Sequence, residues 1–237
     1  MPIINYAHRG ASEYYPENTL RSFYAGLDMR ADGIETDIQR TLDGVLVLHH
    51  DDTLKRLTGC EGSVKDYTYA QLMDMDFGAF KGEQFRGERI VKLDTFLTHF
   101  GRRGLTLALE IKQPGVEAES LKMVDAHRCR DEVIFTSFKW ESVARLRELD
   151  SSIRLGYLTG EITCETLDLL EKHHVGQICP RVDLVTEESM KLALDRGFSV
   201  RFWGIRNVDD MNRALALGGG DGMTINFPDK LTGALGR

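Results

Sequence analysis

The sequence predicts an α/β protein, a single (β/α)8 TIM barrel with a small insertion after a hairpin on its second strand. Short β-like runs alternate with helical patterns, the signature of βα units feeding a parallel sheet. Eight such runs occur, enough to close a barrel. The length of 237 residues is close to the roughly 250 typical of one such barrel. No linker or composition break divides the chain, so residues 1–237 are expected to form one domain, and no residue-level repeat is visible.

The first strand is expected over residues 3–7. Asn18 or Thr19 can cap the helix that follows, which carries Leu20, Phe23, Tyr24 and Leu27 at helical spacing up to about Met29. The second strand spans 33–39, Leu42-Asp43-Gly44 forms a turn, and 45–48 return as a hairpin strand. From about 53 to 90 the alternation lapses into glycines, charges and one short helix at 69–73, an excursion from the barrel. The rhythm then resumes, with strands expected at 106–111, 133–136, 153–158, 177–179, 199–203 and 222–226. Helices are expected at 93–100, 117–127, 140–149, 164–173, 187–195 and 208–217.

Composition is that of an ordinary soluble globular protein. A net charge of −7 argues against nucleic acid or an anionic membrane as the main partner. It leaves an anionic substrate open, because a local cation reverses the sign inside a pocket. Cys60, Cys129, Cys164 and Cys179 are scattered without a C-x-x-C pattern, as reduced thiols of a cytoplasmic protein would be. The segment Met1-Pro2-Ile3-Ile4-Asn5 has neither a basic start nor a long apolar run, so no signal peptide is expected, and no run approaches the ~18 apolar residues of a membrane span.

Chemistry concentrates between Tyr6 and Asp52, where two apolar strands end in polar residues. Glu35 and Asp37 are two apart on a strand and share a face, and adjacent carboxylates repel unless a cation lies between them. His49 and His50 are neighbours on the hairpin strand, so alternation lets at most one face those carboxylates. Glu110 and Lys112 share a face at the end of the third strand.

These residues stand as AHRG (7–10), PENT (16–19), IETDIQRTLDG (34–44) and VLVLHHDDTL (45–54), in that order. In this the chain resembles the glycerophosphodiester phosphodiesterase family, whose hallmarks are an HRG, a PENT-like helix entry, an E-x-D and an HD after a hairpin. The resemblance extends to the E-x-K of the third strand, and so implies Glu110 as a metal ligand beside Glu35 and Asp37. Three carboxylates without a thiolate suit one hard divalent cation, Mg²⁺ or Ca²⁺. The resemblance also implies His8 and His50 as the general acid–base pair, since the family's histidine directly precedes Asp as in His50-Asp51; which is acid and which is base stays open. His49 is then a packing or surface residue. Arg9 and Lys112 would hold the phosphate oxygens. Glu17 and Asn18 are expected to be structural, as an ion pair and a helix cap.

Ser137-Phe138 and Trp203 match family positions; Phe138 would be a pocket wall, and Trp203 either lines the glycerol pocket or belongs to the barrel core. In such enzymes a glycerol hydroxyl attacks phosphorus to give a cyclic intermediate that water opens; direct attack by water is the alternative. The chain departs from the family where Thr224-Ile225-Asn226-Phe227-Pro228 stands for a T-D-x-P, and where Ile90-Val91-Lys92 stands for an apolar-Pro-Thr. The first departure bears on substrate specificity.

The implied activity is hydrolysis of a small glycerophosphodiester to sn-glycerol 3-phosphate and an alcohol. A rival within the fold acts on larger lipids, as lysophospholipase D or sphingomyelinase D relatives do, and needs an apolar entrance, for which Phe77, Phe80 and Phe85 in the insertion are the candidates. Residues 78–85 are a candidate lid there. A rival of another class is a non-catalytic barrel that binds a phosphate compound. The alcohol and the oligomeric state are not encoded legibly.

Overall fold

In the computed structural model, which describes residues 3–237, eight parallel strands close into one sheet. They are β1 (Ile4–His8), β2 (Gly33–Arg40), β4 (Thr106–Ile111), β5 (Val133–Ser137), β6 (Leu155–Thr159), β7 (Gln177–Pro180), β8 (Ser199–Ile205) and β9 (Gly222–Ile225). Closure comes from β1, which pairs with both β2 and β9. The hairpin strand β3 (Leu46–Leu48) lies antiparallel on β2, outside the ring. The expected (β/α)8 barrel with its hairpin is therefore the observed architecture. Residues 1–2, where the N-terminal segment was read for a leader, lie outside the described residues.

The helices are α1 (Leu20–Asp28), the short α2 (Lys55–Thr58) and α3 (Tyr69–Met73), α4 (Leu93–Phe100), α5 (Glu117–Ala126), α6 (Trp140–Leu149), α7 (Cys164–Lys172), α8 (Glu187–Asp195), α9 (Val208–Ala216) and α10 (Pro228–Ala234). Strand alternation sorts the apolar side chains into a layer between sheet and helices: Ile34, Ile38, Leu107, Leu109, Phe135, Val200 and Phe202 pack there against helix residues such as Phe23, Phe96 and Phe100. The opposite strand face looks into the barrel, which leaves room there for polar groups.

The insertion is more ordered than its sequence suggested. Beyond the expected helix it contains α2 and three 3₁₀ turns, and Leu54, Leu57, Val64, Leu72, Phe77 and Ile90 join Val47 of the hairpin in a second apolar cluster. Two of the three aromatics considered for a lipid entrance, Phe77 and Phe85, are thereby buried; Phe80 alone is exposed.

Two other differences have local causes. The strand expected to begin at residue 153 begins at Leu155, because the Ile153 carbonyl accepts from Arg147 Nη2 at 3.1 Å and is taken up in the preceding turn. The C-terminal helix α10 was not expected; it is short and starts on Pro228, whose fixed φ and missing N–H suit a first helical turn.

Gly33 opens β2 where a Cβ would lie 2.3 Å from the Thr106 carbonyl oxygen of the paired strand. Gly33→Ala should lower stability by about 1–3 kcal/mol, the usual cost of overpacking, seen as an earlier urea midpoint. An unchanged midpoint would show that the β2–β4 seam tolerates displacement.

Candidate active site

The strand ends on one rim of the barrel carry the polar groups, as this architecture requires of its C-terminal face. His8 ends β1, and the chain then turns through Arg9 and Gly10, both at positive φ (56° and 87°). At Gly10 a Cβ would meet the Ser22 backbone at 2.4 Å, so the sharp approach of this turn to α1 needs glycine. The turn is pinned by Arg9 N–H donating to the Glu35 carbonyl (2.8 Å) and by the Arg9 carbonyl accepting from Asn18 N–H (3.0 Å). Thr19, not Asn18, caps α1, its hydroxyl accepting from Ser22 N–H. Asn18 instead reaches inward: its amide donates to Asp37 Oδ2 (3.2 Å) and accepts from the Thr36 hydroxyl (2.7 Å).

Glu35, Asp37 and Glu110 are brought together by register, Asp37 lying directly opposite Glu110 across β2 and β4. Each offers an oxygen such that all three lie within 4.8 Å of one another, and all three side chains are buried. Burial, then Asp37 and Glu110, push the Glu35 carboxyl well above the ordinary carboxylate range. Burial and Asp37 push Glu110 up to about 7. Burial acts to raise Asp37 too, but Arg9, foremost among nearby cations, overrides it and holds Asp37 at about 2. Glu35 Oε2 and Asp37 Oδ1 are buried without a hydrogen-bond donor. Crowded, donor-starved carboxylate oxygens of this kind fit a hard divalent cation.

Both expected histidines open onto the same cavity. His8 Nδ1 lies 2.5 Å from Asn226 Oδ1, which also accepts from the Ser12 hydroxyl (3.0 Å). Nδ1 therefore carries the proton, and Nε2, 3.7 Å from Glu35 Oε2, presents a lone pair to the cavity. Burial, then the Arg9 charge, hold His8 well below the ordinary imidazole range. His50 Nδ1 donates to Asp51 Oδ1 (2.8 Å). Its neighbour His49 points the other way: it is buried, with Nε2 3.1 Å from the Thr53 carbonyl and its ring edge-on to Phe77.

Arg9 lines the cavity, with Nη1 on Glu17 (2.8 Å) and Nε 3.3 Å from Asp37. Glu17 is held from its other side by Arg56, which also grips Asp51, so one ion-pair chain joins the HRG turn to the histidine loop. Lys112 Nζ is 3.0 Å from Glu110 Oε1 and 3.9 Å from Asp37 Oδ1, and lies over the Phe138 ring. Phe138 stands edge-on to Trp203, whose indole N–H donates to the Thr159 carbonyl (2.9 Å). These two aromatics, with Leu158 and Ile205, help to wall a cavity of about 340 Å³ that Glu35 and Glu110 also line.

Three contributors were not foreseen. Asn226 replaces the expected carboxylate of the last strand and orients His8; only its offset from the T-D-x-P pattern hinted at this. Arg56 was hidden in the insertion. Arg201 sits fully buried inside the barrel, and its signal was a charge at an inward position of an apolar strand.

The family model of the glycerophosphoryl diester phosphodiesterase family matches residues 8–230. A glycerophosphodiester phosphodiesterase of Caldanaerobacter subterraneus is 30% identical over 236 residues, spanning 98% of this chain and 97% of its own length. One from Bacillus subtilis is 30% identical over 250 residues, spanning 96% and 84%. Among solved structures, an Oleispira antarctica phosphodiesterase in complex with the product sn-glycerol-3-phosphate superposes with a TM-score of 0.92 at 25% identity, over 99% of this chain and 97% of that one.

With Glu110 raised to about 7, the folded ion-free protein holds more protons than the unfolded chain from the ordinary Glu range up to that value. Its stability should thus fall as pH rises through this window. A cation must also displace those protons, so it binds more tightly at high pH. The rise in melting temperature on adding Mg²⁺ or Ca²⁺ to chelator-treated protein should be larger at about pH 8 than at about pH 6; equal shifts would mean the three carboxyls do not titrate as a cation site.

Proposed function

The chain belongs to the glycerophosphoryl diester phosphodiesterase family, and from that premise we propose that it hydrolyses glycerophosphodiesters to sn-glycerol 3-phosphate and an alcohol, using one divalent cation and the pair His8 and His50. It is an enzyme of the glycerophosphodiester phosphodiesterase type. The observation that carries the finer reading is a cluster of three buried, mutually close carboxylates, two of which, Glu35 and Glu110, line one cavity together with both imidazoles.

Glu35, Asp37 and Glu110 would hold the cation, Mg²⁺ or Ca²⁺, which when bound supplies Lewis-acid stabilisation of charge on a phosphate oxygen. Arg9 and Lys112 bind and orient the remaining non-bridging oxygens. Arg9 is fixed for this by Glu17 and Asp37, and Lys112 by Glu110. His8 is the better base: its Nδ1 proton is committed to Asn226, and Nε2 is free to take the proton of the attacking oxygen, whether a glycerol hydroxyl or water. His50 is the better acid: its Nδ1 donates to Asp51, which fixes the ring so that the other nitrogen can give a proton to the departing alcohol oxygen. In the second half of a cyclic route the two exchange roles.

A small alcohol suits the site better than a lipid. The cavity of about 340 Å³ is at the lower end for small-molecule sites, and Phe77 and Phe85 are spent inside the insertion. Residues 78–85 are not a free flap, since Lys81 Nζ donates to the Ser12 carbonyl at 2.8 Å. No helix among the described residues is long and apolar enough to cross a membrane. We read the chain as cytoplasmic on its four scattered, free cysteines.

His8→Ala and His50→Ala should each lower glycerophosphocholine turnover by at least about a hundredfold with the fold intact, while His49→Ala retains most activity. Rates near wild type in either of the first two, or a dead but folded His49 variant, would reverse the assignment. Chelation should stop hydrolysis and metal add-back restore it; indifference to chelator would remove the cation from the reaction.

A further inference from the structure

The cavity is lined from inside the barrel by a cation that the proposed chemistry does not use. Arg201 is 1% exposed, and among the described residues no carboxylate lies within 4.0 Å of it. Its guanidinium lies over the Tyr6 ring, 5.2 Å from the centroid, in space kept open by Gly222, where a Cβ would meet that ring at 2.7 Å. Nε donates to Gln177 Oε1 (3.3 Å), Nη1 donates to Thr224 Oγ1 (2.6 Å), and Nη2 is buried without a partner. A desolvated guanidinium without a matching acid is costly unless it serves an anion or a polar ligand close by.

Thr224 and Arg201 both line the cavity, and the threonine hydroxyl stands beside the guanidinium there. A threonine hydroxyl has one proton and accepts through its lone pairs. Here the acceptor side is taken by Arg201, and among the described residues no acceptor receives the Thr224 proton. The proton is thus left for whatever occupies the cavity, and a cation bonded to the oxygen strengthens it as a donor. The neighbouring groups on the cavity side, Glu35 and Asn226, have oxygens that the proposed cation and His8 already engage.

We propose that Thr224 is a substrate-binding residue whose hydroxyl donates to an oxygen of the glycerophosphate half of the substrate, and that Arg201 is the positioning residue that aims it. This rests on the glycerophosphodiester reading for the identity of the ligand. The acceptor is either a phosphate oxygen or a glycerol hydroxyl, which share the same acceptor chemistry.

Calorimetry on the full chain with its metal, using sn-glycerol 3-phosphate and inorganic phosphate as probes, tests the proposal without requiring turnover. Thr224→Val should weaken sn-glycerol 3-phosphate binding by about tenfold or more, the scale of a charge-assisted hydrogen bond, and Thr224→Ser should restore it. Equal weakening of inorganic phosphate identifies a phosphate oxygen as the acceptor; weakening confined to sn-glycerol 3-phosphate identifies a glycerol hydroxyl. Arg201→Met should weaken binding too, and the double variant should lose less than the two singles combined. Should Thr224→Val fail to fold, Thr224→Ala takes its place. Wild-type affinity in a folded hydroxyl-less variant, no recovery with serine, or full additivity with Arg201→Met would overturn the proposal. Normal binding with no glycerophosphocholine hydrolysis by the wild-type protein would instead sink the functional reading alone.

Discussion

Mutual repulsion among Glu35, Asp37 and Glu110 is the constraint to which the rest of the barrel mouth is fitted. Parallel pairing of β2 with β4 forces Asp37 opposite Glu110, and the two-residue period of β2 sets Glu35 on the same side. Three acids cannot stay ionised in a buried cluster without compensating charge. The chain supplies part of it from Arg9 on the β1 turn and Lys112 on the end of β4. These hold Asp37 ionised but leave Glu35 and Glu110 raised. The compensation is thus incomplete, and a divalent cation with an anionic phosphate on it would complete it.

Around that cluster the loops divide the work. The β1 turn is locked by backbone hydrogen bonds and by the close approach of Gly10 to α1, so Arg9 and His8 are held by structure already present before a ligand arrives. The insertion, stabilised by its own apolar cluster, delivers Arg56 to both Glu17 and Asp51 and so couples the placement of His50 to that of Arg9. The aromatic pair Phe138 and Trp203 supplies shape rather than charge. A lining that mixes charged and apolar groups suits a substrate with an anionic centre and a small organic arm.

Much of this was legible in the sequence because it depends on short-range periodicity. The strand runs, the E-x-D and E-x-K spacings and the opposed faces of His49 and His50 are consequences of a two-residue repeat, and those side chains lie accordingly. What escaped depends on partners far apart in sequence. Asn226 orients His8 across 218 positions, Arg56 meets Glu17 across 39, and Arg201 finds Thr224 and Tyr6 only once the barrel closes. Within the insertion the apolar residues follow no regular period, so its second cluster could not be inferred. Asn18 shows the same limit locally: a cap was one of two expectations, but tertiary contact with Asp37 draws it inward and leaves the cap to Thr19.

The central claim is that these three carboxylates hold one divalent ion. It is tested most directly by locating Mn²⁺, substituted for the native ion, through its anomalous scattering in a crystal of the protein. The account predicts a single peak within about 2.0–2.6 Å of an oxygen from each of Glu35, Asp37 and Glu110. A site empty at saturating Mn²⁺, or a peak held by other residues, would contradict it.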